Sequence, residues 1–182
     1  MSVTIAKWTL DEYHRMIAAG LLDQRRVELL KGEIVEMSPE GEPHAYFSSE
    51  AGEYLAQRLG DRALVRQAKP ITLPNQSEPE PDIAIVQRLG REYLSHHPYP
   101  ENIFWLIEYA DSSLDKDLQV KARVYAEIDI AEYWVIDLRH RILIIFRQPN
   151  AAMYQSRVEY QTGNVAPLSF PDVAIAVNTL IN

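Results

Sequence analysis

The stretch NIFWLIEYA, residues 102–110, limits what this chain can fold into. From Ile103 to Tyr109 it is apolar at nearly every position, and near its end it carries an acid, Glu108. A run of this kind, bounded by polar residues, is the pattern of a strand buried on both faces. A carboxylate at the end of such a strand is costly unless a hydrogen-bond network, a basic partner or a metal ion compensates it. Asp82, at the head of the preceding apolar run DIAIV, poses the same problem. Lys121, on the helical stretch that follows, is a candidate cationic partner for both acids.

Strand and helix periods sharpen this picture. On a strand, Leu106, Glu108 and Ala110 point one way, and Trp105, Ile107 and Tyr109 the other. The spacing predicts a helix over about 113–128, with Asp117, Lys121, Tyr125 and Ile128 on one stripe. Val120, Val124 and Ile128 form the adjacent apolar stripe, which should dock on the sheet. Lys121 sits at the border of that stripe, so its stem can cross apolar surface to reach Glu108. Ala110 leaves room there for the ammonium.

The rest of the chain frames this core. Thr9–Ala19 reads as a helix with Thr9 and Glu12 at capping-box spacing and Leu10, Tyr13 and Ile17 on one face. VELLKGEIVEM reads as a hairpin about Lys31-Gly32, with Glu28, Glu33 and Glu36 as its solvated face. His44–Leu59 reads as a helix stopped by Gly60. ALVRQAKPITL gives one or two strands broken near Pro70. An irregular insert, 88–102, carries a little helix near Glu92–Leu94. EYWVID and ILIIFR follow as strands, then a last hairpin and a proline-bounded tail. This order predicts an α+β fold with an α/β-like core, a mixed sheet flanked by helices. A chain of 182 residues fits one domain over 1–182, with an N-terminal helix-and-hairpin extension over about 1–40.

Composition removes whole classes. No apolar run approaches the roughly 20 residues that span a bilayer, so no membrane partner is expected. The first residues lack the layout of a signal peptide, and the absence of cysteine excludes disulfides and thiolate metal sites; the cytoplasm is the simplest location. A net charge of −8 argues against coating nucleic acid by bulk electrostatics, though not against a local site that handles it through a metal.

Several stretches together resemble a known family. VELLKGEIVEMSPEGEPHA, SEPEPDIAIV and LIEYADSSLDKDLQVKARVYAEIDIAEYWVID are similar to the Uma-type family of bacterial restriction endonucleases, within the PD-(D/E)XK nuclease superfamily. The resemblance covers nearly the whole chain. It implies a restriction-endonuclease-like fold and a metal-dependent endonuclease acting on DNA. Pro81-Asp82 occupies the PD position and Glu108 the following acid. The superfamily's lysine would fall at Ala110; in the Uma type it comes from the next helix, in D-x-x-x-K-x-x-x-Y, here Asp117, Lys121 and Tyr125. The resemblance implies Asp82, Glu108 and Lys121 as catalytic residues, and Asp82, Glu108 and the backbone carbonyl of Tyr109 as ligands of Mg²⁺ or Mn²⁺, hard cations that favour oxygen donors.

Each residue also has a plainer reading. Asp82 can be a turn or cap residue, and Lys121 an i,i+4 partner of Asp117. His44 is a secondary candidate for substrate contact, against a surface or cap role. Glu50 and Glu53 read first as a solvated helix face, Gln67 as a plain strand residue, His96-His97 as loop, and Trp105 and Trp134 as core. Two other functions remain open: a degenerate member that binds nucleic acid or protein without cutting, and a structural oligomerisation module. Exposed strand edges and the aromatic-rich insert 93–99 suggest a homodimer.

Overall fold

The computed structural model describes residues 4–111 and 113–182; the first three residues of the stretch read for a leader lie outside the described residues. The chain opens with α1 (Leu10–Ala18), whose Thr9 and Glu12 form a complete capping box. Strands β1 (Val27–Leu30) and β2 (Glu33–Glu36) pair as an antiparallel hairpin. Its turn residues Lys31 and Gly32 both take positive φ, 50° and 77°, the geometry that a tight two-residue hairpin turn requires. Tyr13, Val27 and Leu29 form a small core with Leu10, Met16, Leu22 and Ile34 around them. Met16 takes the place expected for Ile17, which is exposed.

Helix α2 (Glu42–Leu59) follows, closed by Gly60. Then come β3 (Leu64–Gln67), β4 (Ile83–Val86) and β5 (Ile103–Ala110). A helical crossover ending in α3 (Ala122–Ala126) leads to β6 (Glu132–Asp137), β7 (Ile142–Asn150) and β8 (Met153–Tyr160). The tail adds a short ribbon of β9 (Asn164–Val165) and β10 (Ile175–Ala176), and then α4 (Val177–Ile181). Among the described residues no helix is long and apolar enough to cross a membrane.

Strands β3 to β8 lie side by side in sequence order as one mixed sheet. Among the described residues, only β5 and β6 run parallel; the other neighbours are antiparallel. A parallel pair cannot be joined by a tight turn, so a crossover is obligatory here. The expected α+β fold, a mixed sheet flanked by helices, is the fold observed. The two faces sort as strand alternation dictates. Trp105, Ile107 and Tyr109 face a core shared with Leu55 and Leu59 of α2 and Leu180 of α4. Leu106 and Ala110 face a second core with Val124 and Tyr125 of α3. Trp105 and Trp134 are wholly buried, as a core reading requires.

The crossover departs from a regular helix in a way that matters below. Residues Lys116–Lys121 form a π turn, in which the Ala122 N–H reaches back five residues to the carbonyl of Asp117. A π turn is wider than an α turn and re-phases the side chains. Asp117, Lys121 and Tyr125 are all turned inward and buried, while Val120 is 46% exposed. The expected apolar stripe through Val120 is therefore wrong at that position. Two valines that look equivalent in sequence should behave differently. Val124→Ala should cost about 2 kcal/mol in urea denaturation, and Val120→Gln should stay within about 0.5 kcal/mol of the parent.

Candidate active site

Strand β4 pairs with β5 in the register Ile83↔Ile107. One step beyond that pair, Asp82 is brought level with Glu108 on the same face. Asp82 is fixed there by two donors to its Oδ2: the backbone N–H of Tyr109 at 2.6 Å and His44 Nε2 at 3.0 Å. His44 comes from the first turn of α2. Asp82, Glu108, His44, Asp117 and Lys121 line one small cleft, with about 80 Å³ of room for solvent.

Glu108 is buried, and its Oε1 accepts from Lys121 Nζ at 2.7 Å and from the Tyr125 hydroxyl at 3.1 Å. Lys121 and Tyr125 reach it from the buried stripe of the crossover that faces the sheet. Asp117 accepts from the Ser113 hydroxyl at 2.6 Å. Lys121 is only 3% exposed. Burial alone would lower its pKa, but the charges of Glu108, Glu28, Asp117 and Asp82 outweigh burial and raise it, so the ammonium stays protonated. Burial, followed by the neighbouring acids Asp82, Asp117 and Glu28, raises the proton affinity of Glu108, with Lys121 opposing. The cluster holds more carboxylates than cations, an arrangement that favours taking up positive charge.

The donor set suits a hard divalent ion. Among the described residues, Asp82 Oδ1 and Glu108 Oε2 receive no hydrogen bond, so each carboxylate has one oxygen committed and one available in the cleft. No three His, Asp or Glu side chains among the described residues converge as a metal site. Two carboxylates and a backbone carbonyl, completed by water, are nevertheless the sparse oxygen set typical of Mg²⁺.

One residue of the site runs against expectation. Glu28, read as part of the solvated hairpin face, is 0% exposed. Its Oε1 accepts from Lys116 Nζ at 2.7 Å, and its Oε2 lies 3.4 Å from Lys121 Nζ. Burial works to raise its pKa, but Lys121 and Lys116 hold it below the ordinary value. The signal was present in sequence: an acid inside the apolar run VELL is the same anomaly as Glu108 inside its own strand. Glu33 and Glu36 are exposed. Glu50 and Glu53 are exposed on α2 and line a separate groove. Gln67 packs over Gly52 rather than lining the cleft. His96 stacks on Tyr99, with ring centroids 4.5 Å apart, away from these residues.

Comparison with known proteins agrees in scale with this architecture. The model of the Uma2 family, described as "Putative restriction endonuclease", matches residues 10–178. The crystal structure of a putative nuclease belonging to DUF820 from Anabaena variabilis shares the fold, with a TM-score of 0.69 at 17% sequence identity, over 94% of this chain and 96% of that one. None of the curated proteins matches the chain.

The His44–Asp82 contact has a pH signature. Burial would lower the imidazole pKa, but the hydrogen bond to Asp82 and the charges of Asp82 and Glu40 raise it above its ordinary 6.5. A raised folded-state value contributes stability that is present below 6.5 and lost as pH rises through the folded value. In thermal melts with EDTA, the parent should exceed His44→Gln by more at about pH 5.5 than at about pH 8.5.

Proposed function

The chain belongs to the Uma2 family, and from that premise we propose that it is a metal-dependent endonuclease hydrolysing phosphodiester bonds in DNA. The reading rests above all on one contact. Position 110 is alanine, yet an ammonium lies 2.7 Å from Glu108 because Lys121 is delivered from the crossover helix. Asp82 and Glu108 would hold Mg²⁺ or Mn²⁺ with the backbone carbonyl of Tyr109. When bound, such an ion supplies positive charge that neutralises the scissile phosphate and acidifies water.

The remaining work belongs to the side chains. His44 and the Tyr109 amide orient Asp82, leaving one oxygen free. Tyr125 and Lys121 do the same for Glu108. Lys121 faces the cleft with a protonated amine, placed to orient the attacking water and to stabilise charge that develops on the phosphoryl oxygens. Burial makes that interaction stronger than it would be in open water.

The test is hydrolysis of single- and double-stranded DNA with Mg²⁺ or Mn²⁺, and its loss in EDTA. Lys121→Ala should lower kcat by about 100-fold or more while the thermal shift produced by Mn²⁺ persists. Asp82→Ala and Glu108→Gln should abolish both, since each removes a charged oxygen donor. At a metal concentration about 100 times Kd, the lost stabilisation corresponds to about 2.7 kcal/mol. Parent-like cutting by Lys121→Ala and Glu108→Gln would refute the site. A parent that responds to metal but cuts neither substrate would favour a binding-only member of the family.

We also infer a homodimer. Strand β8 ends the sheet, with Met153 and Val158 exposed along it, and such an edge can pair with a second copy. The insert is less available than its composition suggests, because Tyr93 packs under Arg66 and bonds to the Gln87 carbonyl. Light scattering at micromolar concentration should give twice the chain mass; monomer alone would refute this.

A further inference from the structure

We propose that Glu28, on the N-terminal hairpin, is a positioning residue for the reaction, anchoring Lys121 in the cleft through a second carboxylate contact. The proposal rests on the nuclease reading above, and its test separates the two.

An ammonium has three donors and rotates freely about its terminal bond. One acceptor fixes its distance and leaves its other two donors free to swing. Lys121 has two carboxylate neighbours on different elements: Glu108 on β5 at 2.7 Å and Glu28 on β1 at 3.4 Å. The Glu28 contact is the longer of the two and places a second carboxylate charge, from a different strand, beside the ammonium, which confines the amine between β1 and β5. Lys121 lines the cleft that holds Asp82 and Glu108.

Glu28 is itself held on both oxygens. Oε1 takes Lys116, and Oε2 takes the backbone N–H of Glu80 at 3.4 Å. A wholly buried carboxylate on a two-stranded hairpin is expensive unless it is paired, and both its cationic partners belong to the π turn. Lys116 is the more exposed of the two, and it neutralises Glu28 from the cleft mouth. Glu28 matters most when Glu108 is committed elsewhere. A group in the cleft that draws on Glu108 weakens the nearer of the two contacts of Lys121. Glu28 lies outside the Asp82–Glu108 pair and keeps the amine in place. The hairpin therefore completes the site.

Glu28→Gln keeps the shape and removes the charge. Its kcat should fall about 10- to 100-fold, the usual cost of losing a supporting residue, with KM and the Mn²⁺ thermal shift unchanged. In a Lys121→Ala background the same substitution should have no further effect on kcat, because Glu28 acts through Lys121. A second readout needs no activity: reductive methylation followed by mass spectrometry. Lys121 should be protected in the parent and labelled at least several-fold faster in Glu28→Gln, relative to Lys69 in the same molecule. Glu28→Asp, which keeps the charge on a shorter stem, should restore part of the protection and part of the rate, and it serves equally should Glu28→Gln fail to fold. Additive effects of Glu28→Gln and Lys121→Ala on kcat, or unchanged labelling of Lys121, would overturn the proposal. If the parent cuts no DNA, the nuclease reading fails by itself and the labelling result alone decides whether Glu28 anchors Lys121.

Discussion

The buried ion pair between Lys121 and Glu108 is the constraint around which the other parts of this structure are arranged. Neither charge could be placed there alone, because leaving one buried without the other would cost several kcal/mol. Glu108 needs a strand that ends in the sheet interior. Lys121 needs a crossover helix that lies over that strand end. The parallel pairing of β5 and β6 supplies both, because it forces the chain out of the sheet and back across its face. Asp82 arrives by the antiparallel register of β4, and His44 by the start of α2.

Such a cluster adds little net stability and can even subtract from it. Hydrophobic groups of the same volume would often serve a core as well or better. The apolar work is done by the residues beside it: Leu106 and Val124 on one face of the sheet, Trp105 and Trp134 on the other. Packing carries the fold, and the polar groups form a separate buried cluster with shifted proton affinities, the pattern that marks candidate functional sites. The Tyr125 and Ser113 hydroxyls satisfy acceptors that would otherwise be left unpaired in the interior.

Much of this was legible in the sequence, for physical reasons. Strand alternation has a period of two with little room for error, so the faces of β5 and the burial of Trp105 and Trp134 followed directly. The charged anomalies at Asp82 and Glu108 stood out because each interrupts or ends an apolar run. The helix was harder. Its period depends on every turn being an α turn, and one wide turn between Lys116 and Lys121 moves Val120 to the surface. Glu28 was missed because alternation on a short hairpin assumes water on one face, and here that face is covered by the π turn. No local pattern announces a contact between residues 28 and 116, since nothing within the hairpin records what will pack against it.

The same contact bears on how the molecule comes into being. Lys116 and Glu28 are 88 positions apart, and the loop between them includes α2 and three strands of the sheet. Contacts of this separation form only after much of the chain has closed on itself, since the loop entropy must first be overcome. A chain emerging from the ribosome carries Glu28 early and its partners Lys116 and Lys121 late. Until β6 has docked beside β5, it displays a hairpin, the helices α1 and α2 and a few strands, with an acid pair but no assembled cluster. The ion cluster is thus assembled late, by topology, from residues far apart in the chain.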